Sequence, residues 1–151
     1  MKKLVFLFVL ISGFAFAQKS DEDDVKSTIN RFFDAMRNSN STELQATLSK
    51  TAVLQTINKN GEGISEDIQA FTQSLSNVQK GDLDEKIEFK SIQIDQNLAS
   101  VWMPYQFFYK GKFSHCGVNS FQLVKENGEW KIQYIIDTRR KENCGEVKPV
   151  K

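Results

Sequence analysis

One histidine and two cysteines in 151 residues limit the chemistry this chain can do. His115 and Cys116 are adjacent, a pairing that would suggest a thiolate nucleophile with its base. Both fall in a run of strand-forming residues, where neighbours point to opposite faces, so they do not form a dyad. Cys116 reads instead as half of a disulfide with Cys144, and closing that loop contributes roughly 3 to 4 kcal/mol by restricting the unfolded chain. The usual four-ligand zinc set cannot be assembled from these three residues, so neither a metal nor a cofactor is expected. His115 remains. It is a general acid or base, or a hydrogen-bond donor to a bound ring, because its ordinary pKa lies near neutrality. Alternatively it is a structural imidazole bonded to backbone, since no obvious second catalytic group accompanies it. Asp137, Arg139 and Arg140 form either a strand-end ion pair or an anion site. There is no Gly-rich phosphate loop and no paired-carboxylate motif.

Strands must position these groups. Four runs rich in β-branched and aromatic residues span about 84–95, 98–109, 113–125 and 129–139, separated by Asp95-Gln96-Asn97, Lys110-Gly111 and Asn127-Gly128, and they read as an antiparallel meander. If the last two are two-residue turns, Glu126 opposes Glu129 and Tyr109 opposes Lys112. His115 then meets Gln106 and Arg140, and Asn119 meets Trp102. One face collects Trp102, Gln106, Phe108, His115, Asn119, Phe121, Ile132, Tyr134, Ile136 and Thr138. Mostly apolar with a few polar groups, it has the composition of a ligand pocket, with Trp102, Gln106, His115, Asn119 and Tyr134 as its binding residues. A bulge in either hairpin would move the list to the other face.

Helices precede the strands. Val25, Ile29, Phe32, Phe33 and Met36 recur at helical spacing behind an acidic start, Asp21 to Asp24, and predict a helix over 22–38. Ser41 or Thr42 caps a second helix carrying Leu44 and Leu48 to about Lys50. Thr51 to Asn58 reads as a short strand ended by Asn60-Gly61, and Ser65 caps a third helix with Ile68, Phe71, Leu75 and Val78 on its apolar face. The result is α+β, with three helices on one face of a curved, mostly antiparallel sheet.

The first segment has a different character. Lys2 and Lys3 precede an uncharged run, Leu4 to Phe14, followed by Ala15-Phe16-Ala17, which reads as a signal peptide over residues 1–17. The run is shorter than the roughly 20 residues a membrane helix needs. Residues 18–151 are then expected to form one exported domain, periplasmic or extracellular, where a cysteine pair is oxidised. The whole chain carries 20 basic against 19 acidic residues. That balance removes the electrostatic case for a nucleic-acid partner, and no membrane span is expected in the mature chain. On the second sheet face, Cys116, Asp137 and Arg139 are expected with Val101, Met103, Tyr105, Phe107, Tyr109, Val118 and Ile135, and so large an apolar face predicts a homodimer.

The order of two helices, a strand, a third helix and a four-strand meander resembles the nuclear transport factor 2-like superfamily, a cone-shaped fold shared by ketosteroid isomerase, scytalone dehydratase and polyketide cyclases. Phe113-Ser114-His115-Cys116-Gly117-Val118-Asn119-Ser120-Phe121, Gly128-Glu129-Trp130-Lys131-Ile132 and Asp137-Thr138-Arg139-Arg140 are similar to small exported bacterial members labelled SnoaL-like or lumazine-binding. The resemblance implies a pocket within the cone. It also places Phe32 where the isomerase has its oxyanion-stabilising Tyr, and Gln55 or Thr56 where it has its Asp base, so that chemistry is not expected. The dehydratase depends on more than one His, and this chain has one.

The expected function is binding of a small apolar or aromatic molecule without turnover. The runner-up is a cofactor-independent isomerase, dehydratase or cyclase using His115, and the third reading is a non-catalytic envelope accessory protein whose cavity is filled by side chains.

Overall fold

The computed structural model describes residues 20–148. The signal peptide expected over residues 1–17 lies outside them. Ser20 caps helix α1 (Asp21–Arg37), its Oγ accepting from the Asp23 amide at 3.2 Å, and four acidic side chains fill the first turn, where the helix dipole favours negative charge. Helix α2 (Ser41–Thr47) is capped by Asn40 rather than by Ser41 or Thr42, with Asn40 Oδ1 accepting from the Glu43 amide at 3.0 Å. The chain then passes directly into strand β1 (Leu48–Ile57), so Leu48 opens a strand and does not extend the helix face.

Asn60-Gly61 lies in the turn to a strand that the pattern did not predict, β2 (Gly63–Glu66), antiparallel to β1. Four residues with one apolar side chain carry no period; the pairing is made by backbone. Ser65 is therefore in a strand, and the third helix, α3 (Ile68–Ser74), is capped by Asp67, whose Oδ1 accepts from the Gln69 and Ala70 amides at 2.8 and 3.1 Å. One turn of 3-10 helix, Leu75–Asn77, follows.

The run expected over 84–95 is two short strands, β3 (Leu83–Ile87) and β4 (Ser91–Asp95). Both pair with β5 (Leu98–Tyr109), β3 along Tyr105–Tyr109 and β4 along Leu98–Trp102. Strands β6 (Lys112–Glu126) and β7 (Glu129–Thr138) complete a seven-stranded sheet in the order β2-β1-β7-β6-β5-β3, with β4 beside β5. Only β1 and β7 are parallel; the other pairs are antiparallel. This is the expected α+β architecture, with three helices from the first half of the described chain on a curved sheet.

The core gathers Val25, Ile29, Phe32, Phe33 and Met36 of α1 with Leu44, Leu123, Trp130 and Ile132. Phe33 stacks on Phe121 with ring centroids 5.8 Å apart, and Phe32 meets Phe121 edge-on at 5.9 Å. Trp130 Nε1 donates to Asp21 Oδ1 at 3.2 Å, and so ties the start of α1 to the last hairpin. Among the described residues, no helix is long and apolar enough to cross a membrane.

Both hairpins turn as expected, through two residues each in the left-handed region: Lys110 and Gly111, then Asn127 and Gly128. Each hairpin also carries one irregularity. Tyr109 and Phe108 pair with Lys112 and Phe113, but Phe107 pairs with His115, leaving Ser114 as an extra residue. Leu123 pairs with Ile132, but Gln122 pairs with Tyr134, leaving Gln133 extra. Beyond each bulge the partners shift by one. His115 therefore meets Phe107 instead of Gln106, and Asn119 meets Met103 instead of Trp102, with Asp137 on its other side. Arg140 likewise bridges to Cys116 rather than to His115.

Candidate functional site

A cavity of about 450 Å³ lies between the helices and the inner face of the sheet. Phe32, Phe33 and Met36 of α1, Phe71 of α3, Leu54 of β1, Leu83 of β3 and Phe107, Phe121 and Ile135 of β5 to β7 make its apolar walls. Its polar lining is concentrated on the sheet: Glu85, Tyr105, His115, Asn119, Asp137 and Arg139, with Glu66 from the end of β2.

These groups form two connected sets. In the first, Asp137 accepts from Thr56 Oγ1, from Tyr105 OH at 3.0 Å and from Arg139 Nε at 2.8 Å. Arg139 also reaches Glu66 Oε1 at 3.1 Å, so one guanidinium serves two carboxylates. The Tyr105 hydroxyl has a second acceptor in the Thr138 carbonyl at 2.9 Å, and burial together with the charge of Asp137 pushes its pKa up. Gly117, opposite Tyr105, makes this approach feasible: a Cβ there would lie 1.8 Å from Thr138 O and 2.8 Å from the Tyr105 ring.

In the second set, Asn119 Nδ2 donates to Glu85 Oε1 at 2.6 Å. Glu85 is crowded by protein and open toward the cavity it lines. Burial pushes its pKa up to about 8, with Asp137 and Asp84 adding to the rise and Asn119 and Arg139 opposing it. His115 packs between Tyr105 and Phe107, with ring centroids at 5.7 and 5.1 Å, and its Nδ1 lies 3.0 Å from Ser114 Oγ. Burial lowers the His115 pKa, and Arg139 adds to the effect. Among the described residues, nothing hydrogen-bonds its Nε2.

Of the five binding residues expected from the sequence, His115 and Asn119 line the cavity. Trp102, Gln106 and Tyr134 do not, because the two bulges turn β5 and the far half of β7 over relative to β6. Trp102 is 51% exposed, Gln106 Nε2 donates to the Gly145 carbonyl at 3.0 Å, and Tyr134 OH donates to Gln55 Oε1. Conversely, Tyr105, Phe107, Ile135, Asp137 and Arg139 were expected on the other face and line the cavity. Val101, Met103 and Tyr105, expected on the dimer-forming face, are buried inside. Cys116 points away from His115 and is joined to Cys144, as expected.

Glu85 escaped the sequence reading altogether. Its signal was parity: Leu83, Glu85 and Ile87 share one face of a strand, so a charged side chain stands in an apolar row. Of the isomerase positions, Phe32 lines the cavity without a hydroxyl, Gln55 is held by Tyr134, and Thr56 is bonded to Asp137.

The fold recurs in solved structures. An NTF2-like protein from Shewanella baltica is 16% identical with a TM-score of 0.64, over 80% of this chain and 94% of that one. A protein with a cystatin-like fold from Nostoc punctiforme is 14% identical with a TM-score of 0.66, over 81% and 92%. No curated protein matches the chain. The family described as "Putative lumazine-binding" matches residues 20–134. With this match across most of its length and an NTF2-like cone around the cavity, the chain belongs to that family.

Proposed function

We propose that this is an exported domain that binds a small, largely apolar or aromatic molecule in the cavity, without turnover. The observation that carries the reading is the cavity itself, about 450 Å³ of mainly aromatic and aliphatic wall with hydrogen-bonding groups gathered on the sheet. That is the composition of a ligand site, and it argues against a cone filled by its own side chains. The family description makes lumazine the first compound to try. The leader-like residues 1–17 and the Cys116–Cys144 disulfide support export. Mass spectrometry of gently purified protein, followed by titration with lumazine and riboflavin, tests the reading. A co-purifying molecule or a saturable shift supports it; neither, together with no uptake of a neutral apolar dye, overturns it.

One observation favours proton-transfer catalysis as a second reading. His115 and Glu85 line the same cavity, and burial disfavours charge on both, lowering the His115 pKa and raising that of Glu85 to about 8, so the carboxyl group can hold a proton beside a neutral imidazole. The homodimer remains a proposal, now resting on the outer face, where Trp102 and Leu98 are exposed. Sedimentation at micromolar concentration tests it, and a monomer alone rejects it.

A further inference from the structure

We propose that the ligand is an organic cation, a protonated amine on an aromatic or apolar body, and that Glu85 is its counter-ion. This rests on the binding reading above. The acidic and basic side chains lining the cavity are three carboxyl groups, Glu66, Glu85 and Asp137, one guanidinium, Arg139, and the His115 imidazole. Arg139 is engaged by Asp137 at 2.8 Å and Glu66 at 3.1 Å. Among the described residues, no cation touches the Glu85 carboxyl group. Its side-chain partner is the neutral amide of Asn119. The nearby Arg37 is committed to Asp34 and Asp84, and reaches only the Glu85 backbone carbonyl, at 3.4 Å. Lys86, next in sequence, lies over the Phe108 ring.

An anionic ligand would meet a surplus of carboxylate, with the guanidinium that lines the cavity already engaged. An ammonium group would supply the cation that Glu85 lacks, while Phe32, Phe33, Phe71, Phe107 and Phe121 give the cavity an aromatic wall for the charge and its apolar body. Burial lowers the His115 pKa, which disfavours a competing positive charge there. Because the site by itself favours a protonated Glu85, binding an ammonium ion near neutrality releases that proton to solvent.

The test is calorimetric titration of the disulfide-bonded protein with tryptamine, tryptophol and indoleacetate, which share one ring system and differ in charge. Tryptamine is expected to bind at least tenfold more tightly than tryptophol, and Glu85→Gln should abolish that preference. In the wild-type protein, tryptamine affinity should rise about tenfold from pH 6 to pH 7 while tryptophol stays flat, a readout that does not need the variant to fold. Equal affinity for amine and alcohol, a pH-independent amine affinity, or tightest binding of indoleacetate overturns the cation proposal and leaves the binding reading standing. If no probe binds, neither lumazine nor a dye is taken up, and nothing co-purifies, both fall.

Discussion

The two ends of the β5–β6–β7 sheet are built from the same strands and do opposite things. Near the Asn127-Gly128 turn the strands follow simple hairpin counting, and Leu123, Trp130 and Ile132 join α1 in the core. Past the bulges at Ser114 and Gln133, the strands present Tyr105, His115, Asn119 and Asp137 to a cavity. The closed end is stabilised by apolar burial; the open end keeps polar groups that burial penalises. The extra residue Gln133 falls between Ile132, in the core, and Ile135 and Asp137, which line the cavity.

Truncation should separate the ends most clearly. Leu123, 0% exposed, should lose about 4 kcal/mol on substitution by Ala, whereas Phe107→Ala should lose less than about 2, because one side of that ring already faces the cavity. Urea denaturation measures both, and equal losses would erase the distinction. Cys144→Ser should cost roughly 3 kcal/mol, as a loop between residues 28 apart is released, without altering the cavity on the other face. A changed ligand or dye affinity in that variant would show that the outer face shapes the inner one.

Glu85→Gln should stabilise the protein by roughly 2 kcal/mol near pH 8, less than the full shift converts to because the carboxyl faces an open cavity. The sign follows from the raised pKa. Between the ordinary carboxylate value and about 8, the folded state holds a proton that the unfolded state has lost, so wild-type stability falls as pH rises through that window. Below it, variant and wild type should converge; a pH-independent difference would mean that Glu85 is not held protonated. The smallest effect is on His115, whose NMR titration midpoint should fall below the ordinary histidine value. A midpoint above it would mean that the charge of Asp137 outweighs burial and Arg139 together.

Much of the fold was legible because it depends on local signals. Apolar spacing in Asp21–Arg37, the two-residue turns at Lys110-Gly111 and Asn127-Gly128, and strand alternation that separates His115 from Cys116 are all properties of neighbours along the chain. The cap positions and β2 were less legible, since Asn40 and Asp67 compete with nearby serines and threonines of similar capping strength, and β2 exists through its pairing with β1.

By itself, then, the sequence determined the α+β class, the cysteine pairing and the inward side of β6, where His115 and Asn119 stand. Only the tertiary structure decided what joins them. A bulge costs one residue and leaves little trace in composition, yet it reverses every side chain beyond it, because strand faces alternate with a period of two. That reversal put Trp102, Gln106 and Tyr134 outside and brought Tyr105, Asp137 and Arg139 in, beside a glutamate whose unusual state arises from burial among groups distant in the chain.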